Sequence, residues 1–230
     1  MPAVLLLIVV VAAVLVGPTL WVRHVLAKYS EPADRYRDRG TGGEFARHLI
    51  QRLGLDGVTV EPTDGGDHYD PEARAVRLGD GHFDGCSLTA VTIAAHEVGH
   101  ALQHHRGEAT FRLRHGLAKA AVAAERFGGI AFLAAPVLTG IVRSPAAGAA
   151  MLLAALATVA LGAIVHLVTL PVELDASFNK ALPLLERGRY LKGNDIAHAR
   201  RILRAAAFTY VAGSMAGLLN LWRWARVLRR

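Results

Sequence analysis

Ala94-Ala95-His96-Glu97-Val98-Gly99-His100-Ala101-Leu102-Gln103 sets two imidazoles and a carboxylate at the spacing a helix needs to hold a hydrolytic metal ion. Residues four apart lie one above the other on one helix face, so His96 and His100 reach one ion together. Glu97, about 100° round from His96, then sits beside the ion rather than on it. That geometry suits a zinc-activated water which Glu97 deprotonates before it attacks a carbonyl. Metal-dependent hydrolysis is therefore the expected chemistry, with peptide bonds the expected target.

The flanking residues strengthen this reading. Leu88-Thr89-Ala90-Val91-Thr92-Ile93-Ala94-Ala95 is an apolar run with small residues next to the motif, which predicts a buried helix carrying its histidines into a core. Gly99 costs roughly 1 kcal/mol against alanine inside a helix, and close backbone packing near the metal is the expected reason. Two surface histidines beside a solvated glutamate would not need such a flank.

Two histidines leave a catalytic zinc one protein ligand short. His104 and His105 lie nearby, but an extended three-histidine pattern requires Gly at 103 and His at 106, where this chain has Gln103 and Arg106. The remaining source is a later helix. In Leu170-Pro171-Val172-Glu173-Leu174-Asp175-Ala176-Ser177, Pro171 suits a first helical turn, and Glu173 stands out with Asp175 as its competitor.

Four blocks together carry a resemblance: Asp67-His68-Tyr69-Asp70-Pro71, the stretch around His96 to His100, Leu170 to Ser177, and Ala205-Ala206-Ala207-Phe208-Thr209-Tyr210-Val211-Ala212. In order and spacing they are similar to the bacterial membrane-bound neutral zinc metallopeptidases of the YugP type, from the first apolar segment to about Tyr210. The resemblance implies that His96 and His100 are zinc ligands, Glu97 the general base and Glu173 the third ligand, around one catalytic Zn2+. The family pattern usually continues after Ala-Ser with an arginine-containing stretch, where this chain has Phe178-Asn179-Lys180. Cys86, where the family tends to have a small polar residue, is a second departure.

Composition points to a membrane enzyme independently of that resemblance. Hydrophobic residues make up 53% of the chain, in long runs rather than alternating patterns. Residues 3–22, 127–142, 146–170 and 205–222 are the candidate spans, the middle two forming a hairpin. The resulting expectation is a mainly α membrane protein with a small α+β zincin-like catalytic domain and three to four transmembrane helices. Its parts are an anchor at 1–22, a peptidase region at 23–126, a transmembrane hairpin at 127–170, a segment at 171–204 bearing the third ligand, and an apolar helix with a basic tail at 205–230. If His96 and Glu173 share a metal, an even number of crossings separates them, and basic residues after the first and third spans favour a cytoplasmic catalytic face of a multi-pass cell-membrane protein. The net charge of +7 comes from residues flanking apolar segments, which suits lipid headgroups, and no nucleic-acid motif accompanies it.

Between anchor and motif, Thr41-Gly42-Gly43-Glu44 is a capping box opening a helix through about Leu53, with Phe45, Leu49 and Leu53 on one stripe. Val58-Thr59-Val60 and Ala73 to Leu78 are strand candidates, and the strand near Val76 is expected to form an edge that holds extended substrate. Cys86, the only cysteine, excludes an internal disulfide. Asp175 and Gln103 are candidates for orienting the imidazoles, His68 for a substrate contact, and Tyr210 for an oxyanion donor. His166 is a helix-packing group or part of a polar path.

The expected function is a membrane-embedded zinc metalloendopeptidase acting on membrane or membrane-proximal polypeptides, with the lipid bilayer as its other partner and no nucleic acid. The alternative is a catalytically weak zinc-binding scaffold or interaction protein, against which the intact Glu97 argues. A transporter component ranks last, because paired intramembrane charges and an internal repeat are lacking.

Overall fold

The computed structural model describes residues 2–123, 150, 153, 164–165 and 168–209. Two compact units divide the chain, one made of Met1–Glu108 with Leu170–Arg230 and the other of Ala109–Thr169. The first unit holds every residue of the site described below.

Its frame is helical, with one small sheet. Helix α1 (Pro2–Tyr29) is followed by a short 3-10 turn at Arg37–Arg39 and by α2 (Gly42–Leu53). The capping box forms as a reciprocal pair: Glu44 N donates to Thr41 Oγ1 at 3.2 Å, and Thr41 N donates to Glu44 Oε2 at 2.9 Å. Phe45 and Leu49 are buried, and Gly54 closes α2 in the left-handed region at φ 64°.

Three strands follow: β1 (Thr59–Pro62), β2 (His68–Asp70) and β3 (Ala75–Leu78). Their order is β1-β3-β2, with β3 parallel to β1 and antiparallel to β2. Val76 therefore lies on the central strand, paired with Val60 on one side and Tyr69 on the other. The expected substrate edge near Val76 is thus corrected. Both ladders of β3 are already occupied, and an extended peptide would have to add to β1 or β2.

After the short α3 (Asp80–Phe83), Ser87 caps α4 (Leu88–His105) by accepting a hydrogen bond from Ala90 N at 3.1 Å. Every α4 residue from Leu88 to Gln103 is buried, so this is the central helix of the unit. Residues 168–174 are helical and run into a π-helical turn, Asp175–Ala181, which α5 (Leu182–Arg187) continues. A last described helical stretch covers residues 195–209.

The frame is mainly helical with a small sheet, but the expectation of three to four transmembrane helices is overturned. Among the described residues, no helix is long and apolar enough to cross a membrane. The apolar character of α4 serves the protein interior, as its sequence predicts. The later part of α1 packs on α4: Val22 and Val25 are buried, and Thr89 Oγ1 donates to the Leu26 carbonyl at 3.0 Å. The expected hairpin at 127–170 and the apolar helix at 205–222 fall almost wholly outside the described residues. His96 and Glu173 come together within the described residues themselves. Their proximity follows from direct packing of α4 against the turn that begins at Asp175.

Candidate metal centre

Gly99 is where the two halves of the site meet. A Cβ built on it would lie 2.8 Å from the Ala176 carbonyl oxygen, so only glycine lets the π-helical turn approach α4 this closely. That approach brings Glu173, one turn upstream of Ser177, up to the histidine face of α4. The π-helical turn also widens the spacing, so that Asp175 and Lys180, five apart, meet on one side.

His96, His100 and Glu173 offer donor atoms that all lie within 4.8 Å of one another, and all three residues are buried. Glu173 Oε2 is 3.2 Å from His96 Nε2 and 3.2 Å from His100 Nε2. Neighbouring donors of a tetrahedral zinc, at bond lengths near 2.0–2.1 Å, are about 3.3 Å apart, so these separations suit such a shell.

The network behind the imidazoles identifies what occupies those Nε2 atoms. The Gln103 amide faces two acceptors, the Val172 carbonyl at 3.0 Å and Asp175 Oδ2 at 2.7 Å, so its nitrogen donates to both. Its oxygen therefore accepts from His100 Nδ1 at 2.9 Å. Ser177 Oγ donates to the Leu203 carbonyl at 3.1 Å and accepts from His96 Nδ1 at 3.2 Å. Both Nδ1 atoms thus carry a hydrogen, and in the neutral imidazoles both Nε2 atoms present lone pairs to a buried carboxylate. A cation among the three donors resolves that opposition. Two nitrogens and one carboxylate oxygen form a donor set that zinc takes readily.

Burial pushes the Glu173 carboxyl up, and positive charge at the imidazole face, on the rings or on a cation between them, would draw it well below the usual range. Glu97 is 6% exposed and follows His96 directly, placing a carboxylate beside the donor triangle without joining it.

The other candidates separate. Asp175 is not among the converging donors; it accepts from Gln103, from Asn179 Nδ2 at 2.8 Å and from Lys180 Nζ at 2.7 Å. Lys180 also pairs with Glu108 at 3.0 Å, so a lysine supplies a basic contact just after the Ala-Ser pair. His68 lies on β2 and donates from Nδ1 to the Gly66 carbonyl at 2.8 Å, a local turn contact. His104 shares a 2.8 Å hydrogen bond with Tyr69, and His105 is exposed. Tyr210 and His166 lie outside the described residues. Cys86 is half-buried, and its carbonyl accepts from Tyr36 N at 2.7 Å. Sequence reading missed Ser177, although a hydroxyl four residues past Glu173 in a helical segment shares its face, which is a usable signal.

A family model described as "Putative neutral zinc metallopeptidase" matches residues 4–229. Among curated proteins, "Putative membrane protease YugP" of Bacillus subtilis (strain 168) is 35% identical over 196 residues, covering 81% of this chain and 80% of that protein. No solved structure matches the chain.

Proposed function

The chain belongs to this neutral zinc metallopeptidase family, and on that premise we propose that it is a zinc-dependent endopeptidase acting on membrane-associated polypeptides. The observation that carries the reading is the convergence of two Nε2 lone pairs and a carboxylate oxygen, with both Nδ1 hydrogens tied down by Gln103 and Ser177. His96, His100 and Glu173 would hold one zinc. Zinc held there supplies Lewis acidity, which lowers the pKa of a bound water and polarises a scissile carbonyl.

Glu97 is the general base. It takes the proton from the attacking water and then delivers it to the leaving amine. Gln103 and Ser177 hold the imidazoles in the tautomer and orientation that leave Nε2 available, and Asp175 with Lys180 holds Gln103. Action at a membrane draws support from the relative's printed name and from the net charge of +7, which favours anionic lipid surfaces.

The test is to purify the full chain, measure bound zinc, and compare casein and peptide cleavage by the native protein and Glu97→Gln. Bound zinc near one per chain is expected in both, with cleavage reduced in the variant by about 10^2 to 10^4. Zinc without cleavage by either would favour a scaffold, and no zinc in either would remove the reading.

A further inference from the structure

A cavity of about 280 Å³ lies at the far end of α4, lined by Val58, Tyr69, Arg74, Ala101, His104 and His105. Nothing in the hydrolytic chemistry described above uses it. Its polar lining is one guanidinium, two imidazoles and a phenol, with no carboxylate among the lining residues. Val58 and Ala101 give it apolar walls. Its volume is near the lower bound for a small-ligand pocket, and suits a single amino-acid side chain better than a larger group.

The place of the cavity follows from helix geometry. Glu97, Ala101 and His104 stand at i, i+4 and i+7, a single face of α4, so the cavity opens on the same side as the general base. Seven residues at 1.5 Å put His104 about 10 Å along the axis from Glu97. An extended peptide covers that distance in about three residues.

Arg74 is held there at a conformational cost. Its φ of 52° puts a long, branched-head side chain in the left-handed region, where glycine or asparagine is favoured. The turn that delivers it is fixed by Asp70 Oδ1, which accepts from Glu72 N at 2.8 Å and Ala73 N at 3.1 Å. The guanidinium is then steadied by donating to the Asp56 carbonyl at 2.9 Å, which takes one of its five donors. The guanidinium also hydrogen-bonds the Tyr69 hydroxyl, which shares a 2.8 Å hydrogen bond with His104. On the same turn, Asp70 is engaged by Arg77 at 2.7 Å. A non-glycine residue strained at a cavity rim, with its charge pinned toward a cavity free of lining acids, is a pattern found at ligand sites.

We propose that this cavity is a substrate subsite that binds a carboxylate about three residues from the scissile bond, through Arg74 with Tyr69, His104 and His105 around it. The proposal rests on the peptidase reading, since it places the group along a bound polypeptide. The carboxylate has two chemical sources, an internal Asp or Glu side chain or the free C-terminus of the substrate. Planar two-point contact with a guanidinium serves both.

The test measures binding rather than turnover. Zinc-loaded full-length Glu97→Gln is titrated with fluorescein-labelled Ala/Gly peptides that differ only in one residue, Glu, Gln or Lys, scanned along the peptide, each with a free or amidated C-terminus. A charged hydrogen-bonded contact predicts about tenfold tighter binding of Glu over Gln at one position, equivalent to about 1.4 kcal/mol. In the Arg74→Asn background that ratio falls to near one, and asparagine tolerates the left-handed backbone, so folding is preserved. Arg74→Glu should reverse the preference toward Lys. If Glu gains over Gln at one position and the gain survives amidation, an internal acidic side chain is the source; if Glu and Gln bind alike and amidation weakens both, the chain end is. Equal binding of Glu and Gln at every position together with no loss on amidation, or a gain unchanged in Arg74→Asn, overturns the subsite and leaves the zinc chemistry standing. A retained ratio in a native protein without zinc or cleavage would overturn the peptidase reading instead.

Discussion

Glu173 and Asp195 are both buried carboxylates in the same unit, each reached by residues distant in sequence, and their surroundings are chemically opposite. Asp195 is surrounded by donors. Arg35 grips it through Nε at 2.6 Å and Nη2 at 2.7 Å, and Tyr36 Oη donates to it at 2.6 Å. Lys192 N in turn donates to Tyr36 Oη at 2.9 Å. Glu173 faces two nitrogens whose opposite ring positions already carry the hydrogens. Equal burial thus conceals a difference in completeness. The Asp195 clamp is finished by protein alone, while the Glu173 triangle has the donor set that a cation would complete.

The largest effect should come from breaking the finished site. Asp195→Ala removes the acceptor from Arg35 and Tyr36 and should cost about 3–5 kcal/mol, as for other broken buried pairs. Urea unfolding should show the same loss with zinc or with a chelator present. A loss that depends on zinc would mean that the clamp and the metal centre are one coupled unit.

Removing the metal should act on the other carboxylate. Stripping zinc from the native protein should lower stability by about 3 kcal/mol at a free zinc concentration a hundredfold above its Kd. Glu173→Gln should invert this behaviour. Its amide can donate to an Nε2 lone pair, so the metal-free variant should melt above the metal-free native protein and bind zinc far more weakly. Asp175→Asn, which leaves the donor triangle untouched, should retain zinc better than Glu173→Gln. The reverse order would exchange the roles of the two acids.

Gln103→Leu sharpens the comparison from behind the imidazole. It removes the acceptor that fixes the His100 tautomer and leaves Asp175 with Lys180 and Asn179. Zinc affinity should fall by about 10- to 100-fold in competition with a chromophoric chelator, a range found for such outer partners. Unchanged affinity would mean that His100 does not need Gln103 to present Nε2.

What could be read in advance divides along the same line between local and assembled features. The capping box of Thr41 and Glu44, the apolar run into His96, and the placement of His96 and His100 on one face are local, and period and spacing disclose them. Gly99 was legible as a close approach, though not as an approach to Ala176. Glu173 stood beside Asp175 in the same opening turn, and only the packed structure separates them, because a π-helical turn has no local signature that announces a five-residue spacing. The central position of β3 is equally non-local: Ala75 to Leu78 reads as a strand, but its neighbours on both sides are set by chain topology. The run into His96 reads correctly as a buried helix, whereas the candidate spans were counted from hydrophobicity and length alone, which do not distinguish a segment that packs on protein from one that faces lipid.

The smallest expected effect returns to the finished carboxylate and has a sign fixed by its phenol. Burial first, and then the hydrogen bond to Asp195, pushes the Tyr36 hydroxyl up to about 12 from an ordinary value of 10.0. The folded state therefore holds this proton where the unfolded chain, with its ordinary phenol near 10, has begun to release it. The contribution is fully present below about pH 10 and is lost as pH rises toward about 12. Alkaline titration of unfolding should show a decline of at most about 2.7 kcal/mol across that window, two pH units at 1.36 kcal/mol each. Tyr36→Phe should lower stability at neutral pH by about 1 kcal/mol for the lost hydrogen bond, and should flatten the alkaline limb. A variant with the native alkaline slope would assign that limb to another phenol. It would make the Tyr36 hydrogen bond a minor part of the Asp195 clamp, with Arg35 and His198, whose Nδ1 lies 3.5 Å from Asp195 Oδ1, carrying the rest.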